Sequence, residues 1–336
     1  MDSIQSQVNK KVLFVLPFNE LSGSVISATR LKKALESHNN GEWVVDYCLP
    51  ENEFIKADVI IPKCRKNPLT LFSAYCVVKS VSHKYDAVIY FTVLFGMLCP
   101  LFSKKDYIYI HEVDIGNGLI PSIVLKLINL AKNSIWVVNP KMLDIYPSAK
   151  LLPNISTEKQ PSVRGKFSPF DFLMVCNLKK SKGIYILINI AKSLPNSKFV
   201  LLTNCDLADK NELASYIAQA PTNLFIETNQ SYKHDLFSSA KYLLNLSTLE
   251  ETFGLTLLEA IAYRVIPISF KNMGSLYCLS ENAYFIDKLD PVNSLLNILN
   301  NIEKDHLSYI GLLESYVKEN FSAEYVCQKF ISNLQR

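Results

Sequence analysis

Apolar runs and helical stripes alternate along the chain. The first run, Val12–Phe18, is continuous, as in a strand buried on both faces of a parallel sheet. Asn19–Ser24 breaks it. Val25, Ala28, Leu31 and Leu35 then recur at helical spacing, with Arg30, Lys32 and Lys33 on other faces. Further strands are predicted at Val44–Tyr47, Asp58–Ile61, Ala87–Phe91, Tyr107–Ile110 and Ile135–Val138. Residues 153–170 contain three prolines and no apolar period, which marks a linker. A second series follows, with strands at Phe172–Val175, Phe199–Leu202, Leu224–Glu227, Tyr242–Leu246 and Val265–Ser269. Helices are predicted at Lys182–Ser193, Leu236–Ala240 and Gly254–Tyr263, and an amphipathic segment, Ser322–Leu334, closes the chain. This alternation predicts an α/β protein with two doubly wound parallel sheets. The expected domains are 1–160 and 161–321, with 322–336 a helix packing back toward the first.

Length and composition agree. The 336 residues suffice for two cores, and 49% hydrophobic content excludes a disordered chain. Thirty-five basic against 31 acidic residues is too small a bias for a dedicated nucleic-acid binder. The excess is uneven: residues 1–160 hold 18 basic and 14 acidic residues, and 161–336 hold 17 of each. That fits attraction to phosphates or anionic lipid, and equally an ordinary solvated surface. The eight cysteines are scattered with no zinc spacing, so reduced thiols in a cytoplasmic protein are expected. Ala87–Phe102 is 16 uncharged residues, short for a membrane span and interrupted by Pro100. A buried strand leading into a buried helix is the expectation there, in a protein that is soluble or peripheral on the inner face of a membrane.

The most informative segment is Ser247–Pro267, STLEETFGLTLLEAIAYRVIP. An apolar strand ends, Glu251-Thr252-Phe253-Gly254 turns, and a helix begins with Leu255, Leu258 and Ala262 on one face. Gly254 permits close backbone approach to a ligand, and the new helix presents free N–H groups and its positive end. Glu259 follows Glu251 by eight positions, about 80° apart around a helix, so both can address one pocket. The segment resembles the signature of retaining glycosyltransferases of the GT-B fold, family 4 (the "group 1" transferases). That signature is Glu, seven residues, Glu, with Phe-Gly-Leu after the first and Leu-Glu-Ala at the second. The resemblance implies two Rossmann-like domains facing a central cleft. It implies that Glu259 binds the ribose of a nucleotide-sugar donor and that Glu251 contacts the donor sugar. The amides of Phe253, Gly254 and Leu255 are then expected to hold sugar and phosphate oxygens.

A second match lies at Phe172–Gly183, FLMVCNLKKSKG. The family has Gly-Arg-Leu after this strand and a Lys-Gly opening the next helix. Lys182-Gly183 stands in place, but Asn177 occupies the Arg position and Cys176 the Gly. Without a metal, the leaving diphosphate needs cations, and Lys182 is the candidate. An exposed basic loop is the plain alternative. In the first domain, Gly23 in Leu21-Ser22-Gly23-Ser24 stands where the family has a Gly-containing loop facing the donor, or simply makes a strand–helix turn. His111, ending YIYIH, resembles the family's strand-end His that reaches the reacting sugar. A His bonded to nearby backbone is the alternative. Asn154 is read as structural. Gly274-Ser275 resembles the family's small-residue loop, and Arg264 stands where Gly is usual.

The resemblance implies a metal-independent hexosyltransferase with no cofactor beyond its nucleotide-sugar substrate. Its expected catalytic residues are Glu251, Lys182 and His111, and its donor-binding residues are Gly23, Asn177, Lys182, Phe253, Gly254, Leu255 and Glu259. The expected acceptor is a glycan or lipid-linked glycan of bacterial O-antigen or capsule assembly, with peripheral contact to anionic membrane and no nucleic acid. No G-x-G-x-x-G follows any strand, which sets aside a dinucleotide enzyme. The departures at Asn177 and Arg264 keep a non-catalytic GT-B partner subunit as the alternative.

Overall fold

The computed structural model describes residues 10–335 apart from 18–21, 39–41, 65–66, 113–118, 132–133, 159, 161–165, 205–208 and 303–305. The chain divides into two units: Met1–Ile155 with Asn320–Arg336, and Ser156–Glu319.

In the first unit, β1 (Lys10–Val15) leads to α1 (Gly23–Ser37), β2 (Trp43–Leu49), β3 (Val59–Ile60) and α2 (Pro68–Val81). Then come β4 (Ala87–Tyr90), β5 (Asp106–Ile110), α3 (Leu119–Leu130), β6 (Ile135–Val137) and β7 (Lys150–Leu151). The seven strands are ordered β3-β2-β1-β4-β5-β6-β7, and every pairing is parallel. The last four residues of β1 and all of β4 are buried because helices cover both faces of such a sheet. After β4 the chain enters the expected helix, of the 3₁₀ type, over Val93–Leu101, with Val93, Phe95, Gly96 and Cys99 buried.

The second unit repeats the plan: β8 (Phe170–Val175), α4 (Ile184–Ser193), β9 (Phe199–Leu202), α5 (Lys210–Gln219), β10 (Leu224–Glu227), α6 (Lys233–Ser239) and β11 (Ala240–Asn245). It continues with α7 (Leu255–Ala262), β12 (Ile266–Phe270), α8 (Met273–Leu279), β13 (Phe285–Ile286), α9 (Pro291–Ile302) and α10 (His306–Phe321). Its six parallel strands run β10-β9-β8-β11-β12-β13. In each sheet the winding reverses beside its first strand, between β1 and β4 and between β8 and β11. Such a switch point opens a crevice beyond the strands' carboxyl ends.

The last helix, α11 (Ala323–Leu334), lies in the first unit. Phe330 holds it there, buried with its ring 6.4 Å from Phe14, 5.9 Å from Trp43 and 5.3 Å from Trp136. Among the described residues no helix is long and apolar enough to cross a membrane.

Candidate functional site

The switch point of the second unit brings two loops together. Beyond β8, Cys176 and Asn177 lead into a 3₁₀ turn, Lys180–Lys182, and Gly183 then adopts φ 80° to enter α4. Beyond β11, residues 246–254 lead into α7. The Ser181 carbonyl accepts both the N–H (2.8 Å) and the hydroxyl (3.1 Å) of Thr248. A Cβ at Gly183 would strike the Leu246 carbonyl, so only glycine lets the loops lie this close.

This zipper sets the chemistry. Lys182 Nζ lies 2.5 Å from Glu251 Oε1, and Asn245 Nδ2 donates to Glu251 Oε2 at 3.2 Å. Glu251 is thus oriented at both oxygens, by a cation from one side of the crevice and an amide from the other. The Cys176 thiol lies in the same field, and burial pushes its pKa up to about 12, so it stays protonated.

Glu259 is 8% exposed on α7, and its carboxylate meets Lys233 Nζ, from the first turn of α6, at 2.7 Å. The two carboxylates meet different partners: Glu251 is engaged by Lys182 and Asn245, Glu259 by Lys233. Helical spacing fixed the angle between them but not the partner each would meet. Lys233 was invisible in the sequence, since no spacing ties it to Glu259. Beside it, Tyr263 stacks on Phe237 at 5.2 Å and its hydroxyl meets His234 Nδ1 at 2.6 Å.

Gly254 is the N-cap of α7, and with no capping side chain the N–H groups of Leu255 and Thr256 have no acceptor within the helix. Gly254's own N–H is occupied, donated to Cys278 Sγ at 3.3 Å, which leaves it no proton for a ligand in this arrangement. Cys278 too escaped the sequence reading, because a thiol acceptor carries no motif. Gly274 packs on the same turn: a Cβ there would sit 2.7 Å from the Glu251 carbonyl oxygen and 2.8 Å from Phe253 N. The α8 N-terminus is closed by the Asn272–Ser275 capping box and by Glu250, which accepts the Met273 N–H at 2.8 Å.

Two departures from the family pattern acquire a structural meaning. Arg264 has φ 61°, the left-handed conformation that a glycine adopts without cost, and its Nε lies 3.7 Å from Glu314 Oε1. Asn177 brings no charge to the site, and its Oδ1 is buried with no hydrogen-bond partner among the described residues.

In the first unit, Gly23 opens α1 behind Ser22, and Leu21 lies outside the described residues. Asn154 is 3% exposed and accepts from Ser27 Oγ at 2.5 Å and Tyr109 Oη at 3.2 Å. His111 follows β5, with its ring 4.3 Å from Tyr109 and stacked on Phe91 at 5.8 Å. Its N–H donates to Glu112 Oε2 at 3.1 Å, and Glu112 Oε1 also accepts from Thr92 Oγ1. The residue is partly exposed but its Nε2 is buried, and burial lowers the imidazole pKa to about 3. The ring is therefore neutral throughout the physiological range.

The unfolded chain takes up a proton on this histidine below about pH 6.5 and the folded chain does not. Stability is expected to fall by up to about 1.4 kcal/mol per unit as pH drops from 6.5 toward 3, and to level off below. Burial raises the Glu112 pKa, which acts in the opposite sense by favouring the folded state at lower pH. Urea midpoints of wild type and His111→Phe at pH 7.5, 6.5 and 5.5 isolate the histidine contribution. Parallel pH slopes in the two proteins would remove it.

Residues 156–309 match the family model described as glycosyl transferases, group 1. The second unit carries a glycosyltransferase group 1 domain. The Lys182–Glu251 pair, the Gly254 turn and Glu259 all lie within this group 1 match. No curated protein matches the chain by sequence. Solved structures superpose over nearly its full length. The Anabaena protein HepE, in complex with UDP and glucose, aligns with a TM-score of 0.78 at 14% identity, covering 97% of this chain and 100% of that one. A sucrose-phosphate synthase from Thermosynechococcus elongatus aligns at 0.74 and 16% identity over 97% and 98%. A glycosyltransferase from Rickettsia africae aligns at 0.74 and 13% over the same shares. Together with the two parallel sheets, these similarities establish the GT-B fold.

Proposed function

We propose that the chain is a retaining, metal-independent glycosyltransferase that moves a hexose from a nucleotide-sugar to a hydroxyl of a glycan acceptor. The observation that carries this reading is the Lys182–Glu251 pair at the switch point, beside the uncapped start of α7. A glycosyl transfer breaks the bond from the anomeric carbon to the diphosphate, so negative charge develops on the leaving oxygens. Lys182 and the α7 N–H groups oppose that charge where it forms. Glu259, on the same helix, offers a carboxylate to ribose hydroxyls, for which they would share or replace Lys233. Retention of configuration and the sugar contact of Glu251 follow from the family signature at Glu251–Glu259. HepE, solved with UDP-glucose, supports a nucleotide-sugar donor of that class.

The basic excess of the first half supports an acceptor carried on a membrane lipid, as in the assembly of bacterial surface polysaccharides. The neutral Asn177 favours a second reading, a partner subunit of the same fold that does no chemistry.

A thermal-shift panel with UDP, GDP, ADP and CMP tests the donor assignment on the wild type and Glu259→Ala. One nucleotide at about 100 times its Kd is expected to add about 2.7 kcal/mol, a rise of several degrees, lost in the variant. Silence with all four would favour the non-catalytic subunit.

A further inference from the structure

The second unit has a cavity on the edge of its sheet opposite the crevice. It measures about 520 Å³ and is lined by residues where four strands begin. Lys198 immediately precedes β9, Asp171 is the second residue of β8, Lys241 is the second of β11, and Arg264 stands just before β12. Because β9, β8, β11 and β12 are neighbours and all parallel, their amino ends share one edge and their carboxyl ends the other. At about 3.3 Å per residue, these short strands put the cavity roughly 13–20 Å from the Lys182–Glu251 pair. Phe167 and Pro169 give it an apolar wall.

Lys198, Lys241 and Arg264 are the cations around this cavity, and Asp171 is its one acid. The carboxylate is already engaged, accepting the backbone N–H of Lys198 at 2.8 Å. Lys241 Nζ lies over the Tyr242 ring, 5.0 Å from its centroid. Arg264 Nε lies 3.7 Å from Glu314 Oε1, beyond hydrogen-bond reach, and its terminal nitrogens make no hydrogen bond among the described residues. The fold nevertheless holds Arg264 at φ 61°, a left-handed conformation costly for any residue with a Cβ. An arginine kept there in spite of that cost points to a use for its guanidinium. A concave cationic surface concentrates anions, and the guanidinium fork matches phosphate. A bare ion would leave most of the cavity empty, whereas sites for small organic ligands measure about 300–1,000 Å³.

We propose that this cavity is a second ligand site, which takes a small phosphomonoester. Arg264 and Lys241, on neighbouring strands, hold the phosphate, and Lys198 adds charge from the far side. The ring that bears the phosphate lies against Phe167 and Pro169. An aromatic ring and a sugar ring present the same chemistry to this site, a dianionic phosphate on a compact body. The site stands apart from the donor crevice and does not rest on the glycosyltransferase reading.

Isothermal titration calorimetry of the full chain at pH 7.5 tests the proposal with phenyl phosphate, glucose 6-phosphate, inorganic phosphate and benzoate. One of the two esters is expected to bind about tenfold tighter or more than inorganic phosphate, which has no ring to bury, and than benzoate, which carries a single charge. The tighter ester identifies the ring as aromatic or sugar. Arg264→Gly separates binding from folding, because glycine takes φ 61° without strain. Its melting temperature should equal or exceed that of wild type while affinity for the ester falls about tenfold or more. Lys241→Ala is expected to lose about as much. Lys182→Met, which removes the cation of the donor crevice, should bind the ester like wild type. Absence of binding by both esters, benzoate binding as tightly, or affinity unmoved by Arg264→Gly and Lys241→Ala would overturn the proposal. Binding abolished by Lys182→Met would also overturn it, by placing the phosphate in the crevice. A wild type that binds the ester but responds to no nucleotide would sink the donor reading and leave this site standing.

Discussion

Replacing Lys182 with methionine is expected to slow glycosyl transfer by a factor of about 10²–10³, while Lys182→Arg retains most of the activity. The methionine keeps the length of the side chain and removes the charge that opposes the developing diphosphate. It also strands Glu251, whose side chain is only 16% exposed and would keep Asn245 as its one remaining partner among those described. Two losses therefore coincide, and they separate in the measurement. A salt bridge of purely structural importance would lower the melting temperature and leave kcat of the surviving folded enzyme unchanged. Loss of a catalytic cation instead lowers kcat at saturating donor, because the contribution of the charge grows as the leaving group acquires its own. Unchanged kcat in the folded Lys182→Met protein would remove Lys182 from the catalytic assignment.

Gly183→Ala is expected to destabilise the second unit by about 2–4 kcal/mol. The fold holds this residue at φ 80°, a left-handed conformation costly for alanine, and the added methyl group would meet the Leu246 carbonyl. For a unit of this size the melting temperature should drop by roughly 5–15 °C. The effect is also expected to reach the site, since moving Leu246 shifts the loop that carries Glu251 away from Lys182. Gly311→Ala is the control: nothing lies within 4 Å of the new Cβ, and the residue is inside α10, where alanine gains about 0.5–1 kcal/mol over glycine. Calorimetry of the two variants checks both signs. A Gly183→Ala protein as stable as wild type would show that the two loops yield without cost.

The two alanine substitutions differ only in surroundings, and that difference marks what the sequence could convey. Continuous apolar runs such as Leu13–Val15, separated by helical stripes, are statements about neighbours a few residues away. They were sufficient to predict two doubly wound parallel sheets, because a strand buried on both faces needs helices on both sides. The turn from Glu251 to Gly254 and the Lys182-Gly183 step were legible for the same reason: a glycine that ends a loop and opens a helix is a local device.

What remained hidden depends on which elements become neighbours. Lys182 and Glu251 are 69 residues apart and meet only because β8 and β11 pair in parallel and release their loops at the same edge. Lys233 on Glu259 and Cys278 on the Gly254 N–H come from helices packed beside α7, and no period in the chain encodes them. Arg264 looked like an unexplained exchange until its backbone proved left-handed. Local periodicity thus determined the fold, and the resemblance carried by the Glu251–Glu259 and Lys182–Gly183 motifs supplied the candidate chemistry. The partner of each charged group was decided by strand register and helix packing, because electrostatic contacts form across the tertiary structure and not along the chain.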